Sequence, residues 1–209
     1  MTNTLIAVAG LMIAGLLSPG PNFVLISARA LSSGSRSASA AALGVSGGSI
    51  THAIFGVAGF GALLQSSTGL FTIAKMIGAS YLVWIGFKSV RGAIRAKGVA
   101  VGNDVAGSSG VGVRRSVVDG YLTQMSNPKS TLFFLAMFTT VVPTDITIWQ
   151  GTAVVATVGA TALAGYVLIA TALSQPIFQR AYRRVGSVFD AIFGVAMIAL
   201  GLRVALAES

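Results

Sequence analysis

The sequence has no cysteine, a single histidine and only five acidic residues. The first absence excludes disulfides, thiolate metal sites and thiol redox chemistry, and leaves the compartment open. The lone histidine, His52, is the one imidazole a Ser/His hydrolase would have, and no G-x-S-x-G sequence accompanies it. Charge of either sign is scarce: 9% of residues, against about 25% in a soluble domain. The expectation is therefore not an enzyme, with no cofactor and no metal site.

Apolar residues dominate, at 54% of 209 positions with a mean hydropathy of +0.83. One small core cannot hide that much surface, so a bilayer is the expected solvent. The 26 glycines suit helices that approach closely within a membrane. A net charge of +9 raises the question of nucleic acid. The basic residues sit mainly between apolar runs, where membrane topology accounts for them, so no nucleic-acid partner is expected. No Lys or Arg precedes Arg29, and no A-x-A-like site follows the first apolar run. That run reads as a retained span rather than a leader.

Six apolar stretches can be drawn, roughly 4–28, 38–64, 70–90, 116–142, 147–173 and 185–206. Each reaches the ~20 residues that cross ~30 Å of hydrocarbon. Connection one carries Arg29 and Arg36. Connection three, with its flanks, carries Lys88, Arg91, Arg95, Lys97, Arg114 and Arg115. Connection five carries Arg180, Arg183 and Arg184, whereas connections two and four carry neither Lys nor Arg. The positive-inside rule places the basic connections in the cytoplasm and both termini outside. The Gly- and Ser-rich linker around 96–113 divides the chain into a first unit (1–92), a flexible cytoplasmic linker (93–115) and a second unit (116–209). Three spans per unit invert the second relative to the first. The expected fold is an all-α integral membrane protein with six transmembrane helices as two inverted three-helix repeats.

Two spans are interrupted, the first and the fourth. Ser18-Pro19-Gly20-Pro21-Asn22 breaks one, and Ser126-Asn127-Pro128-Lys129 breaks the other, with Pro19 and Pro128 109 residues apart. Proline removes a backbone donor and clashes with the preceding turn. In lipid such a break is tolerated where the freed groups face protein or a cavity. Either break could be a packing kink; their matching positions point to a midplane binding site.

These motifs resemble the LysE/RhtB family of amino-acid exporters over nearly the whole length. SPGPN is similar to the family's (T/S)PGP(D/N). Gly44, Gly48 and His52 follow at a similar spacing. KMIGASYLVWIGFKSVR (75–91) looks like K..GA.YL.W.G.K..R. Gly120 followed by NPKSTLFFLAMF (127–138) resembles G...N..NPK..LFF, and Gly194, Gly201 and Arg203 resemble the closing pattern. The chain departs from the family at Gln124, where Asn is common, and at Ala191, where Arg is frequent. The resemblance implies export of amino acids or close derivatives across the bacterial inner membrane, driven by proton antiport with alternating access. The partners implied are a small-molecule substrate and membrane lipid, with a homo-oligomer left open. A divalent metal-cation exporter of a related superfamily is the alternative, although such ions want several carboxylates or imidazoles.

An ionisable residue deep in a span costs about 2.5–3.5 kcal/mol and so asks for a reason. The substrate-binding candidates are Ser18, Pro19, Gly20, Pro21 and Asn22 at the first break, and Gln124, Asn127, Pro128 and Lys129 at the second. Asn22 is either a cap for freed backbone or a substrate ligand beside a half-helix terminus that favours a carboxylate. Lys129 either neutralises that carboxylate or belongs to a structural charge pair. The proton-coupling candidates are His52, Asp119 and Asp190. Asp119 stands four residues after Arg115, which equally predicts an interface ion pair. His52 could relay a proton or simply bond a neighbouring helix. Gly44 and Gly48 are expected at a close helix crossing, Lys75 as a snorkelling cation, and Tyr81 and Trp84 in packing or interfacial anchoring.

Overall fold

The computed structural model describes residues 1–17, 20–66, 68–95, 111–143 and 145–206. These residues are almost wholly helical: α1 (Thr2–Leu17), α2 (Pro21–Ser66), α3 (Thr68–Arg95), α4 (Val113–Ser126), α5 (Pro128–Thr140), α6 (Ile148–Leu173) and α7 (Pro176–Leu206). Segments Pro21–Gly59, Ile148–Leu173 and Val185–Arg203 are long and apolar enough to cross a membrane. Ile6, Phe55, Phe87, Leu168 and Val195 point outward and are each well exposed. In water such an apolar surface would drive association; against lipid tails it is at home. The chain is an integral membrane protein. Most of the Gly- and Ser-rich linker, 96–110, lies outside the described residues, as do Ser18 and Pro19.

Both expected interruptions separate two helices. α1 stops at Leu17 and α2 starts at Pro21; α4 stops at Ser126 and α5 starts at Pro128. In each case proline opens the second helix, where its missing N–H costs nothing and its fixed φ fits the first turn.

Two expected connections are instead helical. Arg29 and Arg36 lie within α2, which runs on to Ser66 and is broken only at Gly34, with φ 79° and ψ 178°. Glycine adopts that left-handed φ without a Cβ penalty, so one residue turns the chain where a loop was expected. Arg180, Arg183 and Arg184 lie within α7, because Pro176 starts the helix well ahead of its apolar stretch.

The helices pack chiefly across the two sequence units. α2 lies along α4 and α6, and α3 along α7, while contacts within each unit are slight. Small residues explain the closeness. A Cβ on Gly44 would come within 2.0 Å of the Val117 carbonyl oxygen, and one on Gly120 within 2.2 Å of the Ala41 oxygen. Gly86 and Gly194 face each other: a Cβ on Gly86 would come within 2.5 Å of the Gly194 oxygen, and one on Gly194 within 2.6 Å of the Gly86 oxygen. Without a hydrophobic force between helices in lipid, such backbone approach is what holds them together. Two buried clusters result. A large one joins α1, α2, α5 and α6 through residues such as Met12, Ile26, Phe138 and Val158. A smaller one joins α3 and α7 through Leu82, Ile85, Phe193 and Met197, with Ala136 of α5 between them.

Candidate functional site

The two breaks meet at one cavity of about 50 Å³. Gly20 and Asn22 come from the first break, and Gln124, Asn127, Lys129 and Ser130 from the second. Ser49 of α2 and Tyr166 of α6 complete the polar lining. Met12, Leu16, Phe23, Phe133, Phe134 and Phe193 supply an apolar wall. The volume exceeds the roughly 10–15 Å³ needed for one water, but falls short of the roughly 300–1,000 Å³ of an open ligand pocket. The site is contracted.

The polar groups form one chain of hydrogen bonds, and its direction can be fixed. The Ser49 hydroxyl donates to the Val45 carbonyl at 3.1 Å. With its one proton committed, Ser49 Oγ accepts from Gln124 Nε2 at 3.0 Å. That turns Gln124 Oε1 inward, where it accepts from Ser130 Oγ at 2.9 Å and from Asn22 Nδ2 at 2.5 Å. Asn22 Nδ2 also donates to Tyr166 Oη at 3.2 Å. The carbonyl oxygen of the Asn22 amide is left over: Oδ1 is buried and, among the described residues, has no hydrogen-bond partner. An amide oxygen on a cavity wall can accept from an N–H or O–H group held in that cavity.

Asn127 plays a different part. It is extended, with φ −79° and ψ 107°, and its Oδ1 accepts the Lys129 amide N–H at 3.0 Å as the N-cap of α5. Pro128 has no N–H to give the carbonyl of Gln124, four residues earlier. That carbonyl accepts instead from the Asn127 amide N–H, at 3.4 Å, and from His52 Nε2, also at 3.4 Å. The imidazole stacks on Phe134, with ring centroids 5.2 Å apart. His52 lies outside the cavity and borders a second, apolar pocket with Phe55, Met125 and Phe138.

Among the described residues Lys129 is the cavity's one cationic side chain. Its Nζ lies 4.5 Å from the centre of the Phe193 ring, a cation–π distance. Asp190, one turn before Phe193 on α7, is the carboxylate whose charge acts on it. Asp119 is elsewhere: it accepts from Arg29 Nη2 at 2.6 Å, with Arg115 farther off at 3.9 Å. The expected i,i+4 pair is thus secondary to a bridge from α2 to α4. Among the described residues no three of His, Cys, Asp and Glu gather as a metal would need. Trp84 is exposed, lies against Tyr81 at 5.5 Å and carries Lys88 over its ring at 5.2 Å, as an interfacial anchor would.

Of the expected substrate ligands, Gly20, Asn22, Gln124, Asn127 and Lys129 line the cavity. Pro21 and Pro128 start the helices beside it, and Ser18 and Pro19 lie outside the described residues. Sequence reasoning missed Ser49, Ser130, Tyr166 and the buried Arg29. Tyr166 had a signal: it is the sole tyrosine of an apolar helix, where a hydroxyl needs a partner. Arg29 gave none, since a cation after an apolar run reads as a loop.

The chain is similar to known proteins over nearly its whole length. The family model for LysE type translocators matches residues 13–208. The threonine efflux protein of Salmonella typhi is 27% identical over 96% of this chain and 97% of its own length. That of Escherichia coli (strain K12) is 26% identical over 97% and 98%. The leucine efflux protein of Enterobacter sp. (strain 638) is 32% identical over 59% of this chain and 56% of its own. No solved structure matches the chain.

Proposed function

This chain belongs to the LysE type translocator family and is a transporter rather than an enzyme; from that premise we propose that it exports amino acids from the cytoplasm by proton antiport. The observation that carries this reading is the meeting of both helix breaks at one cavity with a single buried lysine. The relatives named for threonine and leucine efflux support the substrate class.

A substrate carboxylate binds at Lys129. Asn127 occupies the adjacent backbone amide, so the side-chain ammonium is the principal counter-charge. Asp190 competes for the same ammonium. Protonating Asp190 from outside frees Lys129 in one state; substrate displaces it in the other. Of the three coupling candidates, Asp190 takes this part. His52 holds the second break in shape, and Asp119 fastens α2 to α4. The basic segments face the cytoplasm and the termini face out, as in the six-span inverted-repeat topology.

The moving bodies follow the packing rather than the sequence units. Rocking of one three-helix half on the other would tear apart both glycine crossings. α3 and α7 share one cluster, and most of the remaining helices share the other. We therefore assign alternating access to the α3–α7 pair swinging against the rest, with Phe193 and Lys129 across the moving boundary.

The test is uptake into inverted vesicles with a panel of labelled amino acids and an imposed proton gradient. Gradient-dependent uptake of at least one is expected. No such flux with any of them would refute the proposal.

A further inference from the structure

We infer that the cavity holds its solute in one orientation, with the α-ammonium donating to Asn22 Oδ1 and an uncharged side chain against the phenylalanine wall. This rests on the amino-acid export reading and adds to it the ligand for the amine and the class of side chain.

The argument starts from the fixed direction of the hydrogen-bond chain. Amide oxygen and nitrogen are assigned by their network rather than seen directly. Here the assignment follows from Ser49, whose hydroxyl donates to the Val45 carbonyl. Ser49 has given its proton to Val45, so Gln124 must present nitrogen to Ser49 and oxygen to Asn22. Asn22 must then answer with its nitrogen. Its oxygen faces no donor among the described residues, although the residue is only 7% exposed and lines the cavity. A buried amide oxygen beside a site is a receptor for N–H, and an ammonium has three such donors. Across the cavity, Lys129 provides the opposite preference. A zwitterion fits between the two ends in one sense only.

The remaining wall decides the side chain. Lys129 is the only ionisable charge among the lining residues, tyrosine aside. A second cation on the solute would meet no carboxylate among the lining residues, Asp190 being engaged with Lys129, and would feel Lys129 in a medium of low dielectric. A second anion would need a second cation. Phe133, Phe134 and Phe193 instead offer apolar contact, in a space of about 50 Å³. A small or medium neutral side chain satisfies this wall.

The experiment uses the purified full chain in proteoliposomes, with labelled L-leucine flux as the readout. Three competitors are added: 4-methylpentanoate, which is leucine without its amino group and with no added bulk; L-threonine; and L-lysine. The deamino acid should compete at least tenfold less well than unlabelled leucine. Threonine should compete and lysine should not. Equal competition by 4-methylpentanoate overturns the ammonium site. Competition by lysine equal to that of leucine overturns the neutral class. If no amino acid is carried at all, the export reading fails, and this inference with it. Asn22→Ala gives an independent arm: the tenfold gap between leucine and its deamino form should collapse toward unity. A gap that persists in an inserted variant overturns the assignment. If the variant does not insert, the competitor series on the native chain still decides.

Discussion

The two breaks use the same two residue types in opposite order, and the order decides what each amide does. At the second break asparagine precedes proline. Asn127 therefore falls on the N-cap, and its side chain turns back onto the helix it starts. At the first break asparagine follows proline. Asn22 is then the second residue of α2, already helical, and its amide reaches across to Gln124 and Tyr166. One asparagine completes a backbone and the other completes a cavity. Swapping neighbours along the chain turns a capping amide into one that lines the cavity.

The largest effect that would break this contrast is expected at the charge. Lys129→Ala should cut transport by on the order of 100-fold, since truncating one partner of a buried, bonded charge costs about 2–5 kcal/mol. Flux at the native rate in an inserted variant would make Lys129 structural. Next comes the cap. Asn127→Ala should lower stability by about 1 kcal/mol, and Asn127→Asp should restore it. Thermal unfolding in detergent measures both. If Asn127→Ala instead abolished transport with stability intact, the two asparagines would be doing the same job.

His52 sharpens the same comparison, because it adds a side-chain donor to the Gln124 carbonyl beside the Asn127 amide. His52→Gln keeps an N–H and should retain most transport with an unaltered pH profile. A profile that shifts or flattens would assign His52 a proton-carrying role. Smaller still is the bridge between α2 and α4. Arg29→Ala and Asp119→Ala should be non-additive by about 0.5–3 kcal/mol in a double-mutant cycle. Arg115→Ala, at a side chain 79% exposed, should change stability by less than about 0.5 kcal/mol.

Much of this arrangement was legible beforehand, and the illegible parts share a cause. Proline and glycine mark chain breaks directly, so SPGPN and SNPK disclosed where helices stop. Gly44 and Gly48 disclosed a close crossing, although not which helix it meets. Ser49, Ser130 and Tyr166 belong to the site because of where three separate helices come to rest, and no local spacing encodes that. Charge patterning misled at Arg29 and at Arg180. Basic residues near the ends of apolar runs signal topology, whether the chain there is loop or continuing helix. Gly34 was the missing cue: one residue of left-handed backbone keeps α2 going where composition suggested a connection.

The glycine crossings have a consequence for how the protein is made. Gly44 finds its seat on α4 and Gly86 on α7, yet both of those partners are synthesised later. Helices α2 and α3 must therefore wait in the bilayer without their closest neighbours, held apart by lipid rather than by protein. Expressed alone, residues 1–92 should insert but stay loosely associated and sensitive to protease. Supplying residues 93–209 as a second polypeptide should rescue them. Assembly of the finished bundle is then a docking event that begins only once the chain beyond the linker has entered the membrane.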